Sequence, residues 1–277
     1  LYKNIYMIIC IIGSGGREHA ICKSISISSK VNKIYCIPGN AGTNEISENL
    51  NIDINNFEKI LKILKEKNVD LVIVGPEQPL VDGIVDFLQL NNIKVFGPRK
   101  IPAQLEGSKI FTKNLCKEYK IPTAKFGIYN SIEESLSFLK NINFPIVIKA
   151  DGLASGKGVY ISQNYYEAEK AVNEIFEGKF GTTHKVLIEE FLEGEEMSFF
   201  VICDGNDFKI FNTAQDHKRV WEGDKGKNTG GMGAYSPSAL INENLEKKII
   251  NKIILPTLNA IQNLGEKYVG FLYAGLM

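Results

Sequence analysis

Along the first hundred residues the hydrophobic positions switch between two periods. Short β-branched runs at 6–12, 33–37, 71–74 and 94–96 read as buried strands, and the stretches 18–26, 57–67 and 80–90 between them space their apolar residues as helices do. Strands alternating with helices build βαβ units and an open parallel sheet. Each predicted strand runs into a glycine or proline cluster: Gly13-Ser14-Gly15-Gly16, Pro38-Gly39-Asn40-Ala41-Gly42, Gly75-Pro76-Glu77 and Gly97-Pro98-Arg99. Ligands of such sheets gather outside the carboxyl ends of the strands, so the four loops are expected to line one crevice.

Near Gly107 the pattern changes. Helices are predicted at 109–119, 132–141 and 166–177, and strands at 145–149, 159–162, 185–190, 197–203 and 208–213, an α+β order that does not continue the first fold. Residues 215–237 are polar, glycine-rich and without periodicity, and too many for an ordinary connection; they are expected to form a functional loop. A helix at 242–263 and a strand at 268–274 follow, and there is no internal repeat or low-complexity linker.

Composition narrows the function classes. A chain of 277 residues with 44% hydrophobic and 23% charged residues is globular, with room for two domains. Its 32 basic residues balance 32 acidic ones, which argues against broad nucleic-acid or membrane-surface binding. The five cysteines show no Cys-x-x-Cys pair and no histidine at zinc spacing, as expected of reduced thiols in a cytoplasmic protein. The longest apolar run, 5–12, is far short of the ~20 residues that span a bilayer, and glycines with Arg17, Glu18 and His19 follow it instead of a signal-peptide cleavage site. Biased codon usage accounts for the excess of Lys, Ile and Asn. Against it the three arginines, Arg17, Arg99 and Arg219, stand out.

Four segments carry candidate chemistry. Gly13-Ser14-Gly15-Gly16 follows a strand and opens a helix, so it is either a plain tight turn or a nest of N–H groups for an anion; Glu18 at the third glycine position rules out the dinucleotide fingerprint. The run from Lys149 to Gly158 puts a lysine at the end of an apolar strand and a glycine loop behind it, which is not a Walker A loop but supplies a fixed cation and a backbone able to approach phosphates. The run from Ile188 to Glu196 is either a solvated acidic turn or carboxylates placed for the base and sugar of a nucleotide. Asp216-His217-Lys218-Arg219, with Asn228 to Tyr235, gathers an acid, two cations and three glycines, and no Ser-His-Asp or Cys-His spacing supports a covalent nucleophile.

At these residues the chain resembles the phosphoribosylamine–glycine ligases (glycinamide ribonucleotide synthetases) of the ATP-grasp superfamily. The resemblance rests on Gly-Gly-Arg-Glu-His at 15–19, Pro-Gly-Asn-Ala-Gly-Thr at 38–43, Val-Gly-Pro-Glu at 74–77, Gln-Leu-Glu-Gly-Ser-Lys at 104–109 and the lysine–glycine loop at 149–158. It continues through Glu-Glu-Phe-Leu-Glu-Gly-Glu-Glu at 189–196, Gln-Asp-His-Lys-Arg at 215–219 and Asn-Thr-Gly-Gly-Met-Gly-Ala-Tyr-Ser-Pro at 228–237. No single motif decides it; their order along nearly the whole chain does.

The resemblance implies an α/β protein with an N-terminal Rossmann-like parallel-sheet domain over 1–106 and an α+β ATP-grasp domain over 107–277, incomplete at its C-terminus. It implies an ATP-dependent reaction of glycine with 5-phosphoribosylamine through a glycyl phosphate, in purine biosynthesis, with Mg²⁺ or Mn²⁺. By resemblance Lys109 and Lys149 reach the ATP phosphates under the loop of Gly152, Gly156 and Gly158, Glu189 and the Leu192 backbone meet adenine, and Glu195 and Glu196 the ribose. Gly16, Arg17 and Asn40 face phosphoribosylamine, while Asp216, Arg219, Gly230 and Gly231 sit near the reacting centre. The family's Glu and Asn metal ligands and its C-terminal domain would lie beyond Met277, so the chain is expected to hold no metal, to be a fragment needing its missing C-terminal segment, and to catalyse little alone. Lys227 replaces a proline common in the family, and Trp221-Glu222 is atypical. The alternatives are another ATP-grasp carboxylate–amine ligase, or a non-catalytic nucleotide-binding remnant or half of a split protein.

Overall fold

The computed structural model describes residues 6–153, 158–181, 185–223 and 225–277, with only the backbone at 225, 227 and 228. The chain divides into two compact units, one of residues 1–103 with Tyr268–Gly270, the other of Gln104–Lys267 with Phe271–Met277.

In the first unit β1 (Met7–Gly13), α1 (Gly16–Ser26), β2 (Val31–Pro38), β3 (Glu48–Asn49), α2 (Phe57–Glu66), β4 (Leu71–Val74), α3 (Glu77–Asp82), α4 (Ile84–Leu90) and β5 (Val95–Phe96) follow in chain order. The strands pair in parallel in the order β3-β2-β1-β4-β5, with β1 central. Strand alternation sends Cys10 and Ile12 to a core shared with Ile60 and Leu64 of α2 and Ile84 and Leu88 of α4. Ile9 and Ile11 go to the opposite face, where Cys22 of α1 covers them. Both faces are therefore buried, which is why β1 reads as a continuous apolar run. The helix predicted over 80–90 is two helices, because Gly83 takes φ +95°, a left-handed turn that ends α3 as α4 begins.

The second unit contains α5 (Gln104–Gly107), α6 (Lys109–Glu118), β6 (Phe126–Tyr129), α7 (Ile132–Leu139), β7 (Ile146–Ala150), β8 (Val159–Ser162), α8 (Tyr165–Phe176), β9 (Val186–Glu190), β10 (Met197–Asp204), β11 (Phe208–Ile210), β12 (Gln215–Trp221), β13 (Lys225–Tyr235), α9 (Glu243–Ile249), α10 (Leu255–Asn263) and β14 (Val269–Leu276). A π-helical turn, Ile250–Ile254, joins α9 to α10. One antiparallel sheet runs β6-β9-β7-β8, with Leu139, Ala168, Val172 and Ile175 of α7 and α8 packed on Ile146, Ile148 and Ile188. A second runs β11-β10-β14. Ser108, Ser131, Asn164 and Asn242 cap α6, α7, α8 and α9 through their side-chain oxygens, each worth roughly 1 kcal/mol.

Two expectations fail in this unit. Residues 215–221 and 225–235, expected as a loop, pair as the antiparallel strands β12 and β13. Their backbone pairing needs no hydrophobic alternation, since residues 229–237 are nearly all exposed, and the base of the pair is held by polar groups: Ser238 Oγ at 2.9 Å and the Tyr235 hydroxyl both donate to Gln215 Oε1. The missed strand is β6. Its four residues, Phe-Gly-Ile-Tyr, are half-buried and carry no period of their own; β9 fixes them through the Gly127–Ile188 and Ile128–Leu187 pairs.

Candidate functional site

In the first unit three of the four glycine loops are tied together at the carboxyl ends of β1, β2 and β4. Asn40 Nδ2 donates to the carbonyls of Ser14 at 2.9 Å and Gly15 at 3.1 Å, while its Oδ1 accepts the Thr43 N–H at 2.9 Å. Gly39 N–H donates to Gly13 O at 3.1 Å. Arg17 reaches across to the third loop, donating to Gly75 O at 2.5 Å and to Glu77 Oε1 at 2.8 Å. The fourth loop goes elsewhere: Arg99 pairs with Asp86 at 3.0 Å and Lys100 N–H donates to the same carboxylate at 2.7 Å, which ties it to α4.

Under these loops lies Glu18, only 4% exposed, its Oε2 accepting the Gly15 N–H at 2.6 Å. This is half of a capping box, with Glu at N3 closing back on the N-cap N–H. A Cβ on Gly13 or Gly75 would collide with the Glu18 side chain, so those glycines leave room for a buried carboxylate. Gly16 is different: a Cβ there meets nothing within 4 Å. Gly16, Arg17 and Asn40 thus sit together at the amino end of α1, where N–H groups and the helix dipole favour an anion.

In the second unit the chemistry gathers around Glu189, whose side chain is 5% exposed. Val147 of β7 lies opposite Glu189 of β9, which places Lys149 diagonally across the ladder. Lys149 Nζ is 2.7 Å from Glu189 Oε2, and Lys113 Nζ is 3.0 Å from Oε1. Lys109, one turn before Lys113 on α6, donates to Gly152 O at 2.8 Å. Asp151 answers from the loop: its carboxylate accepts the Ser108 hydroxyl at 3.0 and 3.1 Å and the Ile110 N–H at 3.1 Å, so it caps α6. Burial lowers the Lys109 pKa below the usual lysine range; Asp151 opposes this and the charge of Lys149 adds to it. Gly152 takes φ +89°, and Ala150 N–H donates to Gly158 O at 2.9 Å, closing the base of the loop. Gly156 lies outside the described residues.

A second cluster holds Glu196 and Asp216. Lys218 Nζ lies 2.5 Å from Glu196 Oε1 and 3.6 Å from Asp216 Oδ2. Its pKa is raised: burial works against the charge, but Glu196, Tyr273 and Asp216 outweigh it. Burial also raises the Tyr273 hydroxyl, against a hydrogen bond with Ser198. Glu189 and Glu196 are therefore held by different lysines, and Leu192 and Glu195 between them are exposed. Arg219 does not join Asp216; its guanidinium donates to Gly226 O at 2.6 Å along the hairpin. Gly230 and Gly231 face open space, Gly231 with φ +122° and its N–H donated to Thr229 Oγ1 at 3.0 Å.

Motif reading missed Lys113 and gave no role to Asp151, Lys218, Glu18 and Glu77, which stand inside the quoted motifs. Two had a local signal, since Lys113 stands four residues after Lys109 on one helix face and Glu18 at N3 of a glycine-capped helix. Among the described residues no group of three His, Cys, Asp or Glu side chains gathers. None of the described helices is long and apolar enough to cross a membrane. The five cysteines are free, and burial lifts Cys36 to about 11, which makes it an inert thiol.

Residues 7–106 match the phosphoribosylglycinamide synthetase N domain, and residues 107–277 the ATP-grasp (A) domain of the same family. Over 272 residues, 98% of this chain, the sequence is 48% identical to a phosphoribosylamine–glycine ligase of Mesorhizobium japonicum. The crystal structure of a phosphoribosylamine–glycine ligase from Thermotoga maritima is similar with a TM-score of 0.84 at 37% identity, covering 98% of this chain and 65% of that one. At 18% identity the fold alone is shared, TM-score 0.71, with the biotin carboxylase domain of a Hydrogenobacter thermophilus 2-oxoglutarate carboxylase in complex with MgADP; the match covers 98% of this chain and 61% of that one. The chain spans 64% of the length of the curated relatives it matches. With both domain models matched in order, the chain belongs to the phosphoribosylglycinamide synthetase family.

Proposed function

We propose that this chain carries the nucleotide site and the phosphoribosylamine site of an ATP-dependent ligase that joins glycine to 5-phosphoribosylamine. The observation that carries the reading is the lysine cluster beside the glycine loop. Lys113 and Lys149 pair with one carboxylate, Glu189, and Lys109 donates to Gly152 O with Asp151 and Glu106 acting on its charge. Three partly desolvated ammoniums beside a glycine loop suit a triphosphate.

Lys109 and Lys149 would hold the phosphates, with Gly152, Gly156 and Gly158 letting the loop backbone approach them. Glu189 and the Leu192 backbone would border adenine, and Glu195 and Glu196 the ribose. In the first unit Gly16, Arg17 and Asn40 would take the phosphate of phosphoribosylamine. Asp216, Arg219, Gly230 and Gly231 are proposed for the reacting groups. A carboxylate is a poor electrophile with a poor leaving group. Attack of a glycine carboxylate oxygen on the γ-phosphorus expels ADP and supplies both. The ribosyl amine then attacks the acyl carbon, losing a proton as phosphate departs. Catalysis by such a site is positioning plus neutralisation of phosphate charge. Relatives at this level of identity carry the same reaction in their name, and a divalent cation, as in the MgADP complex of the carboxylase neighbour, would supply further charge neutralisation.

The ATP half does not choose the acid or the amine, so the first unit's anion network favours this ligase over another of the same fold. The test is ADP release by the full-length gene product: it should require both glycine and phosphoribosylamine, and Lys149→Ala should abolish it. Equal release without glycine would refute the assignment.

A further inference from the structure

Lys113 is the one cation of the lysine cluster to which the reading above gives no ligand. Its side chain is 12% exposed, and its neighbours belong to the protein: Glu189 Oε1 at 3.0 Å, Thr123 Oγ1 at 2.5 Å and the Phe126 ring, whose centroid lies 5.5 Å away. The hydrogen bond of the ammonium goes to Thr123. Glu189 Oε1 accepts none, so its contact with Lys113 is a Coulombic one at close range. The other oxygen of the same carboxylate lies 2.7 Å from Lys149 Nζ. One buried carboxylate thus stands between two ammoniums, held more tightly by Lys149.

We infer that Lys113 is a positioning residue for Lys149, acting through Glu189. A carboxylate with one counter-ion in a poorly solvated place forms a closed pair whose charge is cancelled toward any third group. Shared between two ammoniums, Glu189 still fixes where Lys149 Nζ sits, yet the trio keeps a net positive charge to offer a phosphate. Lys113 removes the neutralising grip of Glu189 on Lys149 while leaving its geometric grip. Phe126 and Thr123 keep Lys113 itself in place, the ring face by attraction to the cation and the hydroxyl by accepting its hydrogen bond. This inference rests on the nucleotide reading of the site.

The experiment is a double-mutant cycle on the full-length protein, with ADP and Mg²⁺ as the titrant in calorimetry. Lys113→Met should weaken ADP binding at least ~10-fold in the wild-type background and less than ~3-fold in a Glu189→Gln background, because without the carboxylate charge there is nothing for Lys113 to offset. Lys113→Arg should stay within ~3-fold of wild type, since its charge remains. Circular dichroism and the thermal midpoint check that each variant is folded, and Lys113→Gln replaces Lys113→Met if the latter does not fold. Equal losses in the two backgrounds, or no loss in either, would overturn the inference while leaving the nucleotide reading intact. A folded wild-type protein that binds no ADP would overturn the nucleotide reading and this inference with it.

Discussion

The two units hold their candidate sites by opposite means. In the first, the loops are knitted by neutral amides and backbone carbonyls around Asn40, with an Arg17–Glu77 pair that is about half exposed on both sides. Its one buried charge among the described residues, Glu18, is satisfied by a backbone N–H and protected by glycines that make room for it. In the second, a buried Glu189 is paired with two half-buried lysines, Lys113 and Lys149. The first site is built by shape and the second by charge balance. Substitutions should therefore act sterically in one and electrostatically in the other.

Removing the carboxylate of the second unit is expected to be the largest single effect. Glu189→Ala leaves the half-buried Lys113 and Lys149 without their counter-ion, at a cost of about 3 kcal/mol in chemical denaturation. The steric counterpart is Gly75→Ala in the first unit. Its Cβ displaces the buried Glu18 side chain, costing about 2–3 kcal/mol, and a Glu18→Ala change in the same chain should restore part of that. Equal losses with and without Glu18 would break the contrast. Asp151→Ala removes a charged cap from α6 and should cost ~1–2 kcal/mol. Smallest for stability is Arg17→Met, below ~1 kcal/mol because its ion pair is solvated. Under the proposed function, it should nonetheless raise the KM for phosphoribosylamine at least ~10-fold, as loss of a charged contact to phosphate does.

The same contrast decides what the sequence discloses. The parallel sheet of the first unit is legible because both its faces are buried, so β1, β2 and β4 appear as apolar runs each ending at a glycine or proline. The break at Gly83 escapes, since a left-handed glycine inside an amphipathic stretch leaves the period intact, and so does the two-residue edge strand β3, too short and polar to show a period. In the second unit Lys109, Lys149 and Glu189 can be picked from motifs, but that Glu189 serves two lysines depends on the ladder between β7 and β9 and on where α6 packs. Lys218, which gathers Glu196 and Asp216, lies beside Asp216 in sequence but far from Glu196, so no local pattern announces it. The pair β12 and β13 hides for a third reason: its positions are mostly polar or glycine and mostly exposed or half-buried, which leaves no hydrophobic signature.

Under the proposed function, the sites of the two units serve the ligation of glycine to an amine that carries a phosphate. This is tested most directly by following radiolabelled glycine through the full-length gene product. Label should pass to a species retained on an anion exchanger only when ATP and phosphoribosylamine are both present, and Lys149→Ala or Arg17→Met should reduce the transfer. Label that stays in free glycine while ATP is consumed, or that is transferred equally well without phosphoribosylamine, would contradict it.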